Sequence, residues 1–422
     1  MSAVLVLAVG VAAYALVSQR TARLPITAPM VFVALGALTA ALGIVDVPVA
    51  GEATSVLIEA TLVLVLFSDA VSVDLRTLRR NAWLPLRLLA IGLPLVLGLG
   101  WLVATWVLPS LTLVEAALLA ALLTPTDAAL GQAVVTDRRL PERLREGISV
   151  ESGLNDGIMV PVVTVLLAFA VRDEEGASAG SAVRLAAEQV GYGVAAGVGF
   201  GLLGGHLLHR GSLRREVSGV YRQLGTLAVP VAAYAAAHLA GGNGFIAAFV
   251  AGLSFGAMTC AQCRDTADVT TDDGVLLTTI AFFVFGAAFL APALGKVTPA
   301  HLLYVVLSLT VVRMLPVGLA LLGTPTTRQT RVFIGWFGPR GLATILFILL
   351  LTQELDTAGA EVVATVATVA VGVSVLLHGA TAAPWAGHLA AGLAGEGPQP
   401  TAARASHRVH RRADRSVDAP HP

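Results

Sequence analysis

Charge is what this chain has least of. Lysine, arginine, aspartate and glutamate together make up 13% of its 422 residues, about half of the ~25% usual in a soluble domain. One large soluble α-helical core could not cover its surface with so little charge. The charges that remain balance to a formal net charge of zero, which leaves no basic excess for nucleic-acid binding. Cysteine is nearly absent: Cys260 and Cys263 form one CxxC at the end of an apolar run. With no second pair and no nearby histidine it does not make a metal site, and its reading is structural or incidental. No Walker A sequence is present, so no nucleotide-driven step is called for. The amino terminus lacks a positively charged n-region and a small-residue cleavage site, so its first apolar run is expected to stay as a membrane span.

What is there is hydrophobic residue, 56% of the total, gathered in runs near twenty residues long between Val4 and Trp385. Each is long enough to cross about 30 Å of hydrocarbon. Thirteen spans are expected, near 2–18, 27–45, 54–72, 83–108, 113–136, 146–171, 182–208, 221–240, 243–260, 273–294, 300–323, 331–353 and 360–388. The fold class is therefore an all-α polytopic membrane protein. Residues 1–390 are its transmembrane domain, and residues 391–422, rich in Gly, Pro, Ala, Arg and His, read as a disordered tail.

The basic residues test that count. Sixteen lie in odd-numbered connections, among them Arg20, Arg76, Arg139, Arg145, Arg210, Arg264 and Arg328, while Arg172 and Lys296 alone lie in even-numbered ones. The positive-inside rule then puts the odd connections and the tail in the cytoplasm and the amino terminus outside. The seventh span leaves six on either side, which is the arithmetic of an inverted repeat: one half near 2–171, a linker span near 182–208 and a second half near 221–388. The fifth span is interrupted by Thr124-Pro125-Thr126-Asp127 and its counterpart, the twelfth, by Gly338-Pro339-Arg340-Gly341.

The few charges within spans are the candidate chemistry: Glu59, Asp69, Asp127, Glu151 and Asp156, with Arg313 and Arg340. A charge at the bilayer centre costs about 2.5–3.5 kcal/mol on the insertion scale, so such groups face a cavity or a partner. On a helix, Glu151, Ser152, Asn155 and Asp156 fall within an arc of about 140°. One face thus carries two carboxylates, an amide and a hydroxyl. Pro125 removes a backbone donor and frees carbonyls that hydrocarbon cannot satisfy. A hard monovalent ion near the Thr126 backbone and Asp127 would satisfy them, and so would hydroxyls and water around a plain kink. Burial disfavours the charged form of a carboxyl group, so a desolvated aspartate can trade a proton for a cation near neutral pH. If both neutralise the same carboxylate, alternation between the two sides of the membrane gives obligatory exchange, with no cofactor beyond the transported ions.

At these residues the chain resembles the monovalent cation:proton antiporter-1 family, the bacterial sodium/proton exchangers of NhaP type and their animal relatives, over roughly residues 5–390. The match rests on "ESGLNDG" at 151–157, "PTDA" at 125–128, "LFSDAVSVDL" at 66–75 and "FGPRGLAT" at 337–344. In this sequence Ala128 stands where the family usually has proline. The resemblance implies an antiporter fold with broken helices crossing at midplane and Asp156 as the main cation- and proton-binding carboxylate. Ser152, the Thr126 backbone and Asp69 would complete the ion's oxygen shell, Asn155 and Asp127 would shape the site, and Glu151 would pair with Arg340. Arg313 neutralises a core carboxylate or locks two helices. Asn155 before Asp156 resembles the electroneutral branch, one cation per proton. Na⁺ is expected as the cation, with Li⁺ or K⁺ as the other candidates. The resemblance further implies a homodimer in the cell membrane, with the bilayer and the two ions as its other partners. His206 and His209 flank a cytoplasmic end, where they could sense pH although surface histidines ordinarily have no special role, and His238 and His378, in or near spans, read as hydrogen-bonding rather than ligand residues.

Two other functions fit an intramembrane acidic site. A sodium-coupled symporter would need an additional solute pocket, and no aromatic or Arg-rich one is evident. An intramembrane aspartyl hydrolase would use Asp127 with Asp156, but it would leave Glu151 and Arg340 without a role.

Overall fold

The computed structural model describes residues 2–21, 24–47, 52–73, 83–127, 130–174, 179–214, 216–259 and 275–395. Cys260, Cys263 and the tail after residue 395 lie outside the described residues. Within them every regular element is a helix, with no strand. The helices longer than two turns are α1 (Ser2–Thr21), α2 (Ala28–Ala41), α3 (Glu52–Ser72), α4 (Trp83–Val107), α5 (Leu113–Leu122), α6 (Glu142–Glu174) and α7 (Ala179–Leu213), then α8 (Gly219–Leu239), α9 (Gly244–Thr259), α10 (Val275–Leu294), α11 (Pro299–Ala320), α12 (Arg328–Trp336), α13 (Leu342–Glu354) and α14 (Ala358–Gly395), and a single helical turn spans Gln132–Val135 between α5 and α6. Seven of the described helices, α1, α4, α6, α7, α10, α11 and α14, are long and apolar enough to cross a membrane, and α2, α5, α9 and α13 are shorter apolar helices.

The outer surface is apolar, as a lipid-facing surface must be. No residue of α1 is buried, and Leu5, Val9 and Leu16 on it are exposed. Between helices, small residues replace the hydrophobic drive that lipid does not supply. A Cβ on Gly193, Gly197 or Gly201 of α7 would stand 2.7, 2.6 or 2.5 Å from the carbonyl oxygen of Asn243, Ala247 or Ala251. α7 and α9 therefore lie backbone to backbone. The turn at "GGNG" separates α8 from α9: Gly241 adopts φ 77°, and Asn243 Oδ1 accepts from the amides of Phe245 and Ile246 at 3.0 and 3.1 Å.

Two of the expected spans are broken, and local chemistry sets where. Thr112 and Glu115 close a reciprocal cap at the start of α5. α5 stops at Leu122, three residues before Pro125, and the chain runs non-helical through Asp127. Further along the chain α12 stops at Trp336, and residues 337–341, with Gly338-Pro339 among them, run non-helical until α13 begins at Leu342. The two breaks meet at the heart of the molecule, where the Asp127 amide donates to the Pro339 carbonyl at 2.8 Å.

Candidate functional site

Each break holds the other's helix end. The Asp127 carboxylate accepts from the Leu342 amide at 2.8 Å and so caps the start of α13, whose N-cap residue Gly341 has no side chain to do so. A charged acceptor at a helix N-terminus is favoured by both the orphan amide and the helix dipole. A Cβ on Gly341 would collide with that carboxylate. In return, Arg340 Nη1 donates to the carbonyls of Thr124 and Pro125 at 2.8 and 2.9 Å, next to the C-terminal end of α5. Thr344 Oγ1 adds a bond to the Leu122 carbonyl at 2.9 Å.

α6 presents its polar face to the first break. Glu151, Ser152, Asn155 and Asp156 are all buried. Ser152 Oγ donates to the Thr126 carbonyl at 2.5 Å. Asn155 Nδ2 donates to Thr126 Oγ1 at 2.7 Å, and its Oδ1 accepts from the Thr126 amide at 3.3 Å. Thr126 is thus held at its amide, hydroxyl and carbonyl by one helical face. Asp156 Oδ1 is buried with no hydrogen-bond partner among the described residues. The charges that reach Asp156 are those of Asp69, Asp127, Glu151 and Arg340. Asp69 comes from α3, which packs beside α6 at Gly153: a Cβ there would lie in ordinary contact, 3.4 Å from the Asp69 carbonyl oxygen.

The pairing expected for Glu151 is corrected by this geometry. Its carboxylate takes Arg313 of α11, at 2.9 and 3.0 Å, and not Arg340. The reason is the second break: its backbone directs the Arg340 side chain along the first break, where the Thr124 and Pro125 carbonyls, left without helical partners beyond the end of α5, accept from it. Arg313 fills the gap, and Gly338 makes room for it, since a Cβ on Gly338 would stand 2.6 Å from Arg313 Nε. The other expected residues, Asp156, Ser152, Thr126, Asp127 and Asn155, gather at the break with Arg340, and Asp69 lies across from them. Two residues with no assigned place in the expected site touch it: Arg340's amide donates to Ser374 Oγ on α14 at 2.7 Å, and Ser374 in turn lies 3.0 Å from His378 Nδ1. Their only sequence signal is a polar pair four residues apart in an apolar span.

Cavities approach from two directions. A small one of about 10 Å³, lined by Thr126, Asp127, Ser149, Ser152, Phe337 and Pro339, lies toward the end of α6 that begins at Glu142. One of about 480 Å³ opens at the other end, lined by Glu59, Thr164, Tyr234, His238, Asn243 and Gln353 among others. Val163 and Leu167 in its wall lie on the Asp156 face of α6, two and three helical turns on. The donor set around Asp156 is hard oxygen (carboxylate, hydroxyl and backbone carbonyl), which suits alkali and other hard cations.

Comparison with known proteins agrees with this architecture. The family model described as "Sodium/hydrogen exchanger, transmembrane" matches residues 5–387. The chain is similar to the K⁺/H⁺ antiporter NhaP2 of Shewanella sp. strain MR-4, 26% identical over 369 residues, covering 87% of this chain and 63% of that protein. It therefore spans about 63% of the length of such curated relatives. A shorter stretch of 106 residues is 37% identical to Na⁺/H⁺ antiporter 2 of Zygosaccharomyces rouxii, 23% of this chain and 13% of that one. In fold it is similar to the sodium proton antiporter MjNhaP1 of Methanocaldococcus jannaschii at pH 8, with a TM-score of 0.72 at 18% identity, covering 92% of this chain and 100% of that one.

Proposed function

The chain belongs to the sodium/hydrogen exchanger family, and from that membership we propose that it is a secondary antiporter exchanging a monovalent cation for a proton at Asp156. The observation that carries the proposal is a buried carboxylate oxygen of Asp156 with no hydrogen-bond partner among the described residues, set against a backbone break. Around it stand four carboxylates, Asp69, Asp127, Glu151 and Asp156, and two guanidiniums, Arg313 and Arg340. Ionised together they leave a negative excess in a low-dielectric interior, where an uncompensated charge is costly. A single alkali cation or a single proton on Asp156 lowers that excess by one charge. The two compete because they neutralise the same group, and a site that changes sides only when neutralised couples their movements.

In this reading Asp156 binds either ion. Ser152, the Thr126 backbone and Asp69 supply further oxygens, and Asn155, Asp127, Glu151, Arg313 and Arg340 hold the break in shape. Na⁺ is the cation proposed first, and K⁺ stands beside it because NhaP2 of Shewanella is named a K⁺/H⁺ antiporter. One cation for one proton, thirteen crossings in two inverted halves, the amino terminus outside, the cell membrane as location and a homodimer complete the proposal, each resting on the charge pattern or on family resemblance.

The test is cation-driven proton movement in proteoliposomes with an imposed pH gradient, adding Na⁺, Li⁺ or K⁺ separately. Collapse of the gradient by one of these, lost in Asp156→Asn, supports the reading and names the ion. A rate independent of clamped membrane potential supports one-for-one exchange. A folded wild type that moves no protons with any alkali cation would falsify it.

A further inference from the structure

The two halves treat their breaks alike. On α6, Ser152 and Asp156 stand four residues apart, and the serine hydroxyl is bonded to the first break. On α14, the counterpart of α6 in the second half, Ser374 and His378 also stand four residues apart, and Ser374 Oγ accepts from the Arg340 amide of the second break at 2.7 Å. Both α14 side chains are sealed from the surface, at 0% and 1% exposure. His378 Nε2 lies 3.0 Å from the Trp336 carbonyl, at the last residue of α12, and Nδ1 lies 3.0 Å from Ser374 Oγ.

The contacts of His378 reach both ends of the break. A carbonyl oxygen only accepts, so a proton on Nε2 meets Trp336. Nδ1 lies 3.0 Å from Ser374 Oγ and 3.1 Å from the Ser374 carbonyl oxygen, and the same Oγ accepts from the Arg340 amide. Through Ser374 Oγ on one side and Nε2 on the other, one turn of α14 ties Arg340 and Trp336 together. The same Arg340 carries the guanidinium that holds the Thr124 and Pro125 carbonyls, adjacent to Thr126.

We propose that Ser374 and His378 are a positioning pair for the transport site, a counterpart in the second half to Ser152 and Asp156 in the first. They fix the second break so that Arg340 holds the Thr124–Thr126 backbone where a cation bound at Asp156 needs it. His378 touches neither ion. It acts through Arg340, and in this the inference rests on the antiport reading given above.

The experiment compares wild type, His378→Leu, His378→Gln and Ser374→Ala in proteoliposomes, reading half-saturating cation concentration and maximal rate separately. Hydrogen exchange of the peptides covering 336–342 and 122–128 is read on the same samples. His378→Leu keeps the bulk and loses both bonds. It is expected to raise the half-saturating concentration about tenfold, as loss of a supporting shell around a bound cation does, and to speed exchange in both peptides. His378→Gln, which retains a donor and an acceptor, is expected to recover most of the affinity, and Ser374→Ala to shift it in the same direction as His378→Leu. A merely structural residue would lower maximal rate with the amount of folded protein and leave affinity alone. Unchanged affinity or unchanged exchange in folded His378→Leu overturns the proposal. Should that variant not fold, the same readings on Ser374→Ala decide. If the wild type transports no cation the antiport reading fails separately, and the exchange data alone decide whether the pair holds the break.

Discussion

Arg313 on α11 holds both carboxylate oxygens of Glu151 on α6, at 2.9 and 3.0 Å, with each side chain 2% exposed. Removing one member of such a pair leaves a buried charge without its partner, which costs about 3–5 kcal/mol, whereas replacing both by apolar groups is often neutral. Glu151→Leu and Arg313→Met are each expected to lower the thermal unfolding temperature sharply in detergent, and the double variant to regain much of the loss. Equal losses that simply add in the double variant would show that the two side chains do not depend on each other.

Asp127 is a cap before it is anything else. Asp127→Ala leaves the buried Leu342 amide without its acceptor, a loss of about 1–3 kcal/mol, and withdraws a negative charge from the start of α13. Asp127→Asn keeps an oxygen acceptor. The alanine variant should therefore unfold at clearly lower temperature than the asparagine variant. If asparagine is as damaging as alanine, the charge rather than the bond to Leu342 is what matters.

Gly341→Ala puts a methyl group into the Asp127 carboxylate and should abolish proton movement in reconstituted vesicles and lower thermal stability. Gly318→Ala on α11, where a Cβ meets nothing within 4 Å, is the control. Glycine-to-alanine at a compatible helical position stabilises by about 0.4–1 kcal/mol, so this variant should transport normally and unfold no earlier than wild type.

Competition at one carboxylate fixes the sign of the pH effect on transport. Protons and cation exclude each other, so acidification raises the half-saturating cation concentration, by up to about tenfold per pH unit once the site is mostly protonated, and leaves maximal rate unchanged by this cause. Initial rates over a grid of cation concentration and pH test it. A half-saturating concentration that stays flat while maximal rate falls would place proton and cation on separate groups.

In the connection after the first break, Arg139 donates to Asp137 at 2.8 and 2.9 Å, and this hydrogen-bonded guanidinium holds the Asp137 carboxyl below its ordinary value. A carboxyl lowered in the folded state contributes stability above the unfolded value of ~3.9, and that contribution is lost as pH falls through the folded one. Wild type should thus be more stable than Asp137→Asn at neutral pH, by a small margin because Arg139 is exposed, and the two should converge in acid. A difference that persists in acid would assign the effect to packing.

Much of this site could be read in one dimension because its parts are local. Glu151, Ser152, Asn155 and Asp156 share a face wherever that segment is helical, and the structure buries all four. Pro125 and Gly338-Pro339 weaken a helix where they stand, and α5 and α12 stop just before them, whereas Pro161 and Pro384 lie inside α6 and α14. The lack of charge along the spans required a lipid-facing helical architecture before any contact was known.

Tertiary structure decided the partners. Arg313 and Arg340 are both single charges in apolar surroundings, and nothing in their spacing says which one meets Glu151. That choice follows from the crossing of the breaks, which turns Arg340 toward the Thr124 and Pro125 carbonyls and leaves Glu151 to α11. The capping role of Asp127 and the tie from Ser374 and His378 to Arg340 have the same origin. Helical periodicity is a property of neighbours along the chain, while a hydrogen bond between distant segments depends on how the helices pack. The sequence by itself determined that buried charge had to find partners, and only the packed arrangement of α6, α11, α13 and α14 determined which ones.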